Sequence, residues 1–350
     1  MPKRLWIPVA ALVVVALAVG GVLWSRDRSS TPFEWAVGHA PAGTQRVSWT
    51  DWAAVRDRER ADLSDRSSVA DLRGFLNRAY DDDLSSTSAL VTSAPVLQQR
   101  FGFSPASLDW ELFSQSYQGA VVMMHVPDSV DLGAVADHLT ELGYAAPSDP
   151  TGVWSGGTDL IAGISSNLTP ELAYIGLDTR DHLILASDTS GFLSLAMQAV
   201  RGDAPRLTGL GGVVPDAGTP LSSAVYTGDY ACGALAMAHA GPSDQAQGKQ
   251  LLARAGSVTP YSAFAMSDEP DGSVRIAFQF DSSATARSNA DTRATLVRGP
   301  APGQGGSFPQ RFTVDSVTAH GSLVVIRGTP RRGAYVLSDL STGPVLFATC

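Results

Sequence analysis

The sequence predicts an α+β protein: an N-terminal transmembrane helix followed by a duplicated ferredoxin-like (split βαβ) body with a helical N-terminal cover. Three observations carry that expectation. Residues 5–24 form an apolar run without a charge. From residue 108 onward, short strand-like runs alternate with stretches of helical periodicity. The order of those elements recurs in the last third of the chain, as β-α-β-β-α-β.

The first element is the run Leu5–Trp24. At 1.5 Å rise per residue it reaches about 30 Å, the thickness of the hydrocarbon core of a bilayer. Trp6 and Trp24 stand at its ends, where indole rings favour the headgroup region. Pro8 falls in the first turn, where a missing N–H costs little. Lys3 and Arg4, with the small-x-small stretch Ala18-Val19-Gly20, also fit a cleavable signal peptide. The apolar run continues past that point to Trp24, which favours a retained anchor. Residues 1–4 are then a cytoplasmic tail. Arg26 and Arg28 follow the run, so the charge rule discriminates little between orientations. The signal-like shape places the C-terminal region outside the cytoplasm, in a single-pass cell-membrane protein.

The two cysteines agree with that placement. Cys232 and Cys350 are the only thiols and neither belongs to a CxxC pair. A disulfide between them requires an oxidising compartment, and closing roughly 118 residues would contribute ~4–5 kcal/mol. Two buried free thiols are the alternative.

Residues 25–43 read as a linker, polar and punctuated by Pro32, Pro41 and several Gly and Ser. Residues 44–107 read as a helical region. Thr50 is a candidate N-cap, with Trp49 and Trp52 at i and i+3 on one helical face. From Ser68, Leu72, Phe75, Leu76, Ala79 and Tyr80 make one apolar stripe. Residues 88–100 suggest a further helix strained by Pro95. The first α+β unit spans 108–229. Its strands are expected near 108–115, 119–126, 152–155, 159–164, 171–177, 182–187 and 222–228, with helices over 131–142 and 189–201. The second unit spans 230–350. Gly233–His239 echoes Gly119–His125, with Gly, Ala, Met and His in the same places. Helices over 243–255 and 283–297 and strands near 260–267, 273–280, 311–318 and 322–328 complete it. Two such units side by side would leave a groove between them.

Chemistry is sparsely signalled. Net charge is -9, charged residues are 17% of the chain, and lysine is confined to Lys3 and Lys249. An acidic surface without a basic stripe excludes nucleic acid as a partner. His125 and His239 occupy matching places in the two expected units, so they are the candidate site residues, although neither has HxH or HExxH spacing. Gly303-Gln304-Gly305-Gly306 lacks the Gly-Lys-Ser/Thr of a phosphate loop and reads as a connection. Asp81-Asp82-Asp83 with Ser85 lacks the Gly and Glu of a calcium loop and reads as a solvated helix end. Arg201-Gly202-Asp203 reads as a helix C-cap, and Asn167-Leu168-Thr169 is a glycosylation sequon. There is no GxSxG or SxxK nucleophile.

The stretches Ser48-Trp49-Thr50-Asp51-Trp52, Ser114-Gln115-Ser116 leading to Gly119-Ala120-Val121-Val122, Gly228-Asp229-Tyr230-Ala231-Cys232, and Tyr335–Leu340 through Phe347–Cys350 resemble uncharacterised membrane-anchored extracytoplasmic proteins of high-GC Gram-positive (actinobacterial) bacteria. The resemblance spans most of the chain beyond the anchor. It implies location and carries over no catalytic residue. The expectation is a non-enzymatic cell-envelope protein without a cofactor, attached to the membrane by its N-terminal helix. It would bind an envelope protein or an apolar ligand. A carrier of lipid is the first alternative and a hydrolase with a non-standard site the second.

Overall fold

Strand pairing decides this architecture. The structure is a computed structural model and describes residues 30–149 and 151–350. The tail over 1–4 and the anchor over 5–24 lie outside the described residues. Among the described residues no helix is long and apolar enough to cross a membrane.

In chain order the elements are α1 (Pro32–His39), β1 (Arg46–Thr50), α2 (Trp52–Arg58), α3 (Val69–Asp81), β2 (Trp110–Ser116), β3 (Gly119–His125), α4 (Leu132–Leu142), β4 (Val153–Ser155), α5 (Gly157–Ile164), β5 (Tyr174–Asp178), β6 (Leu183–Ser187), α6 (Ser190–Arg201), α7 (Val213–Ala217), β7 (Ser222–Thr227), α8 (Gly228–Ala234), α9 (Pro242–Ala255), β8 (Ala263–Asp268), β9 (Val274–Gln279), α10 (Ser283–Val297), β10 (Phe312–His320), β11 (Leu323–Pro330) and α11 (Val336–Leu340). A short helical stretch over Ala94–Phe101 lies between α3 and β2.

All the strands join one 11-stranded sheet in the order β10-β11-β9-β8-β7-β1-β2-β3-β6-β5-β4, and every neighbouring pair is antiparallel. This corrects the duplicated ferredoxin-like body. A split βαβ unit sets the two strands flanking a helix parallel to each other. Here β7 and β8 are direct antiparallel neighbours although α8 and α9 intervene. Hydrophobic periodicity identifies helices and strands but does not reveal whether a crossover returns parallel or antiparallel. Nor do two separate sandwiches lie side by side among the described residues. The halves meet through the β1–β7 ladder, with Arg46 opposite Tyr226 and Thr50 opposite Ser222, so the sheet is continuous there.

Read outward from that central ladder, the strand order is similar on both sides: β1-β2-β3-β6-β5 on one and β7-β8-β9-β11-β10 on the other. The match is in topology, with different boundaries from those expected. β1 belongs to the first half, inside the stretch read as a helical region, and β7 opens the second. β3 therefore corresponds to β9. The echo of Gly119–His125 in Gly233–His239 is coincidental, because the latter runs from the end of α8 into a 3-10 turn.

Alternation along the strands gives the sheet two apolar faces. On one, Trp49, Trp110, Leu112, Met123, Leu185, Val225 and Ala265 lie beneath α1, α6 and α7. On the other, the first half is covered by α2 to α5 and the second by α8 to α11 with the C-terminal residues. Trp49 and Trp52 thus face opposite sides of the sheet, one on a strand and the other in a helix capped by Asp51, rather than sharing a helical face.

Two further expectations are corrected. The linker over 25–43 contains α1, which is nucleated by a capping box between Thr31 and Glu34 with Pro32 in the first turn, and which buries Phe33, Ala36 and Val37. The strand near 159–164 is helix α5; its apolar run is too short for periodicity to separate the two states. Cys232 and Cys350 form a disulfide with a Cα–Cα distance of 5.5 Å, tying the last residue to α8.

Candidate functional site

His125 closes β3, and the β2–β3 hairpin fixes what surrounds it. From the tight turn that pairs Ser116 with Gly119, the antiparallel register brings Trp110 opposite His125. Their rings stack at 5.4 Å, 20° apart. Trp49 on β1 lies 5.2 Å from Trp110 on the same face of the sheet, and Trp35 of α1 lies 6.1 Å from it. His39 stacks on Trp35 at 4.0 Å; its Nδ1 lies 2.6 Å from the Trp35 carbonyl, and burial pulls its pKa down.

Asp109 precedes β2 and binds His125 twice. Its N–H donates to the His125 carbonyl at 2.9 Å, and its Oδ2 lies 2.8 Å from His125 Nδ1. Each side chain is about one-third exposed, at 32% and 33%. With Nδ1 donating to the carboxylate, Nε2 is the ring nitrogen left for another partner. Asp51 caps α2 by accepting the Ala54 N–H at 2.9 Å. Burial raises its pKa; that capping bond and nearby Arg56 act downward, and Asp109 adds to the rise.

The β5–β6 turn supplies the remaining wall. Asp178 accepts the Arg180 and Asp181 N–H groups, and Arg180 forks onto Asp181 Oδ2 at 2.9 and 2.6 Å. His182 is held at φ +50, a left-handed conformation uncommon outside glycine. Its Nδ1 is buried without a hydrogen-bond partner, and its Nε2 lies 3.6 Å from Asp128. Unpaired buried nitrogen and backbone strain at one residue are features that recur at ligand sites.

Together these residues line an open cleft of about 640 Å³, with Trp35, Asp51, Asp109, Trp110, His125, Arg180, Asp181 and His182 on its walls. The corresponding corner of the second half is closed. Gln279 ends β9 as His125 ends β3, and it pairs with Ala263 and Leu323 as His125 pairs with Trp110 and Leu183. There the chain's own Gly211–Gly212 covers the strand ends. The Gly212 N–H donates to Gln279 Oε1 at 2.9 Å. Gly211, at φ +57, lies so close that a Cβ would sit 2.4 Å from the same oxygen. The small side chains of Ala263, Ala265 and Ala277 lie in the same apolar cluster as α7. Among the described residues one corner is plugged by protein and the other is open.

His239 is not part of this site. It is exposed, with Nε2 2.9 Å from the Gly233 carbonyl, on the side of the sheet covered by α8 and α9. The two imidazoles singled out in the sequence therefore do not converge. Asp83, expected in a solvated helix end, is buried. Its carboxylate accepts the Leu337 N–H at 2.7 Å, the Ser338 N–H at 3.2 Å and the Ser338 hydroxyl, which caps α11. Gly202 at φ +85 caps α6, and Arg201 reaches Asp178 at 3.4 Å. Among the described residues no group of three or more His, Cys, Asp or Glu is placed to hold a metal ion.

A second cleft of about 280 Å³ lies between Asp81, Asp82, Asp268, Glu269 and Arg58, Arg331 and Arg332. Burial drives the Asp268 carboxyl well above its ordinary range, with Asp83 reinforcing the shift. A shallower, mostly apolar depression of about 340 Å³ lies by Leu132, Ala136, Trp154 and Leu177. The carrier alternative needs a cavity between sheet and helices. That space holds Trp52, Phe75, Phe101 and Phe103 in the first half and Phe264, Phe278 and Phe280 in the second.

Asp109, Trp35, Trp110 and the 180–182 turn were missed by sequence reasoning. The hairpin register was the available signal: Trp110 and His125 are equidistant from the Tyr117-Gln118 turn. Nothing local marks Trp35, which arrives on a helix read as linker.

No protein-family model and no curated protein matches this chain. Among solved structures it is similar to crystal form III of TP0453, with a TM-score of 0.42 and 8% sequence identity, over 90% of this chain and 98% of that one. Crystal form I of TP0453 gives a TM-score of 0.40 at 8% identity, over 87% and 96% of the two chains. A likeness at this level carries no argument about function.

Proposed function

We propose that this chain is a membrane-anchored, extracytoplasmic binding protein of the cell envelope, and that the cleft at the end of β3 is its ligand site. The observation that carries the reading is the unequal treatment of two corresponding corners. One is filled by the chain's own loop, whereas the other presents the partly exposed Trp35 indole, an imidazole–carboxylate pair and a strained histidine. A volume of about 640 Å³ falls within the range of small-molecule sites. The apolar run over 5–24 and the Cys232–Cys350 disulfide support a site outside the cytoplasm.

Two measurements test it. Alkaline phosphatase fused after residue 350 should be active and β-galactosidase in the same place inactive; the reverse pattern refutes the location. A small-molecule screen by thermal shift on residues 30–350 should return ligands whose shift is lost in Trp35→Ala. Ligands indifferent to that change would refute the site.

The His125–Asp109 pair favours one second reading, a hydrolase in which Nε2 activates water. It predicts ester or amide turnover that His125→Gln removes. Binding with no turnover by the wild type leaves the first reading standing alone.

A further inference from the structure

We infer that the ligand of this cleft is a small organic cation, an ammonium or quaternary ammonium group on an apolar body. The inference rests on the reading of the cleft as a ligand site and adds the chemical class. Three carboxylates, Asp51, Asp109 and Asp181, line the cleft against one guanidinium, Arg180, which is already forked onto Asp181. Arg56, close to Asp51 and Asp109, donates from Nη1 to the Pro105 and Leu108 carbonyls. The polar complement of the site is therefore weighted to negative charge.

The rest of the wall is aromatic. Trp35 is partly exposed and lines the opening, with only one of its faces needed for His39. An indole face is the strongest side-chain partner for a cation, and carboxylates close by supply the counter-charge. An anion would meet three carboxylates. A wholly apolar ligand would strip water from carboxylate oxygens and add no partner of its own beyond those the protein already supplies. A cation with methyl or methylene groups satisfies both walls at once.

The test uses the full chain in detergent with choline as the probe and 3,3-dimethylbutan-1-ol, its uncharged isostere, as the control, followed by tryptophan fluorescence and calorimetry. Choline should saturate, and the isostere should bind about tenfold more weakly. Trp35→Ala and Asp109→Asn should each weaken choline by about tenfold or more, at unchanged far-ultraviolet dichroism. If Asp109→Asn does not fold, Asp181→Asn serves instead. Equal affinity for choline and its isostere overturns the inference, as does the absence of saturation by choline at tens of millimolar. A neutral sugar such as N-acetylglucosamine that binds in a Trp35-dependent way while choline does not would also overturn it. That last result would leave the cleft as the ligand site, whereas hits from the thermal-shift screen that ignore Trp35 would remove the site itself.

Discussion

Glu111 offers the sharpest test of how the core of this protein is held. It sits in β2 with no exposed surface and receives three donors. Trp52 Nε1 at 2.7 Å and the Ser88 hydroxyl at 2.9 Å reach Oε2, and the Ala89 N–H reaches Oε1 at 2.8 Å. Burial raises its pKa from 4.5 to about 7, against the downward pull of those donors. Below the unfolded value both states hold the proton. Between 4.5 and about 7 only the folded state holds it, so stability falls as pH rises through that window. Above it, the folded state carries the full cost of a buried anion. A difference of about 2.5 units corresponds to about 3 kcal/mol. The perturbation is Glu111→Gln, which removes the titration and leaves one donor facing an amide N–H, at a cost of about 1–3 kcal/mol. Urea unfolding of both proteins, followed by tryptophan fluorescence from about pH 5 to about pH 8, reads the effect. The other raised carboxyls titrate in both proteins and cancel in the difference. The advantage of wild type over Glu111→Gln should shrink by about 2–3 kcal/mol across that range. Parallel stability curves would refute the assignment of a displaced titration to Glu111.

Arg293 should be similarly intolerant. Its guanidinium is fully buried, stacked over Phe278 at 4.6 Å, and donates to the Phe347, Thr349 and Thr259 carbonyls. Arg293→Ala should cost about 3–5 kcal/mol in equilibrium unfolding, because it orphans buried acceptors as it opens a cavity. Reduction of Cys232–Cys350 should cost about 2–4 kcal/mol, less than the loop length suggests, since Arg293 keeps the C-terminus docked; a melting curve with and without a phosphine reductant reads this. Asp83→Ala should uncap α11 and increase cleavage at Arg331 and Arg332 by trypsin, with a loss of about 1–2 kcal/mol in urea. Unchanged proteolysis would mean that the cap is dispensable.

Legibility in the sequence followed the range of the forces involved. The stripe Leu72, Phe75, Leu76 and Ala79 announced α3, and Leu132, Val135, Leu139 and Leu142 announced α4, because each stripe meets its core at a local period. The strands Gly119–His125 and Leu183–Ser187 were visible as continuous apolar runs for the same reason. Pairing was not visible. Whether β7 neighbours β8 in parallel or antiparallel is set by hydrogen bonds across dozens of residues and by helices that leave the sheet and return on the same side. The candidate site divided along the same line. His125 was singled out for its match to His239 in the expected repeats, a match the fold does not keep. Its partner Asp109 emerges only when the hairpin is folded, and Trp35 only when α1 docks. His239 shared a local spelling with His125 and no spatial relation to it.

The place of β1 at the centre of the sheet has a consequence for biogenesis. Its partner on one side, β2, follows after about 60 residues, whereas β7 is made only about 170 residues after β1. A nascent chain that has completed the first half therefore carries an open seam of unpaired amides along β1, the kind of edge that recruits strands from other molecules. Slowing elongation between residues 201 and 222 should raise the yield of insoluble product, because it lengthens the interval before the seam closes.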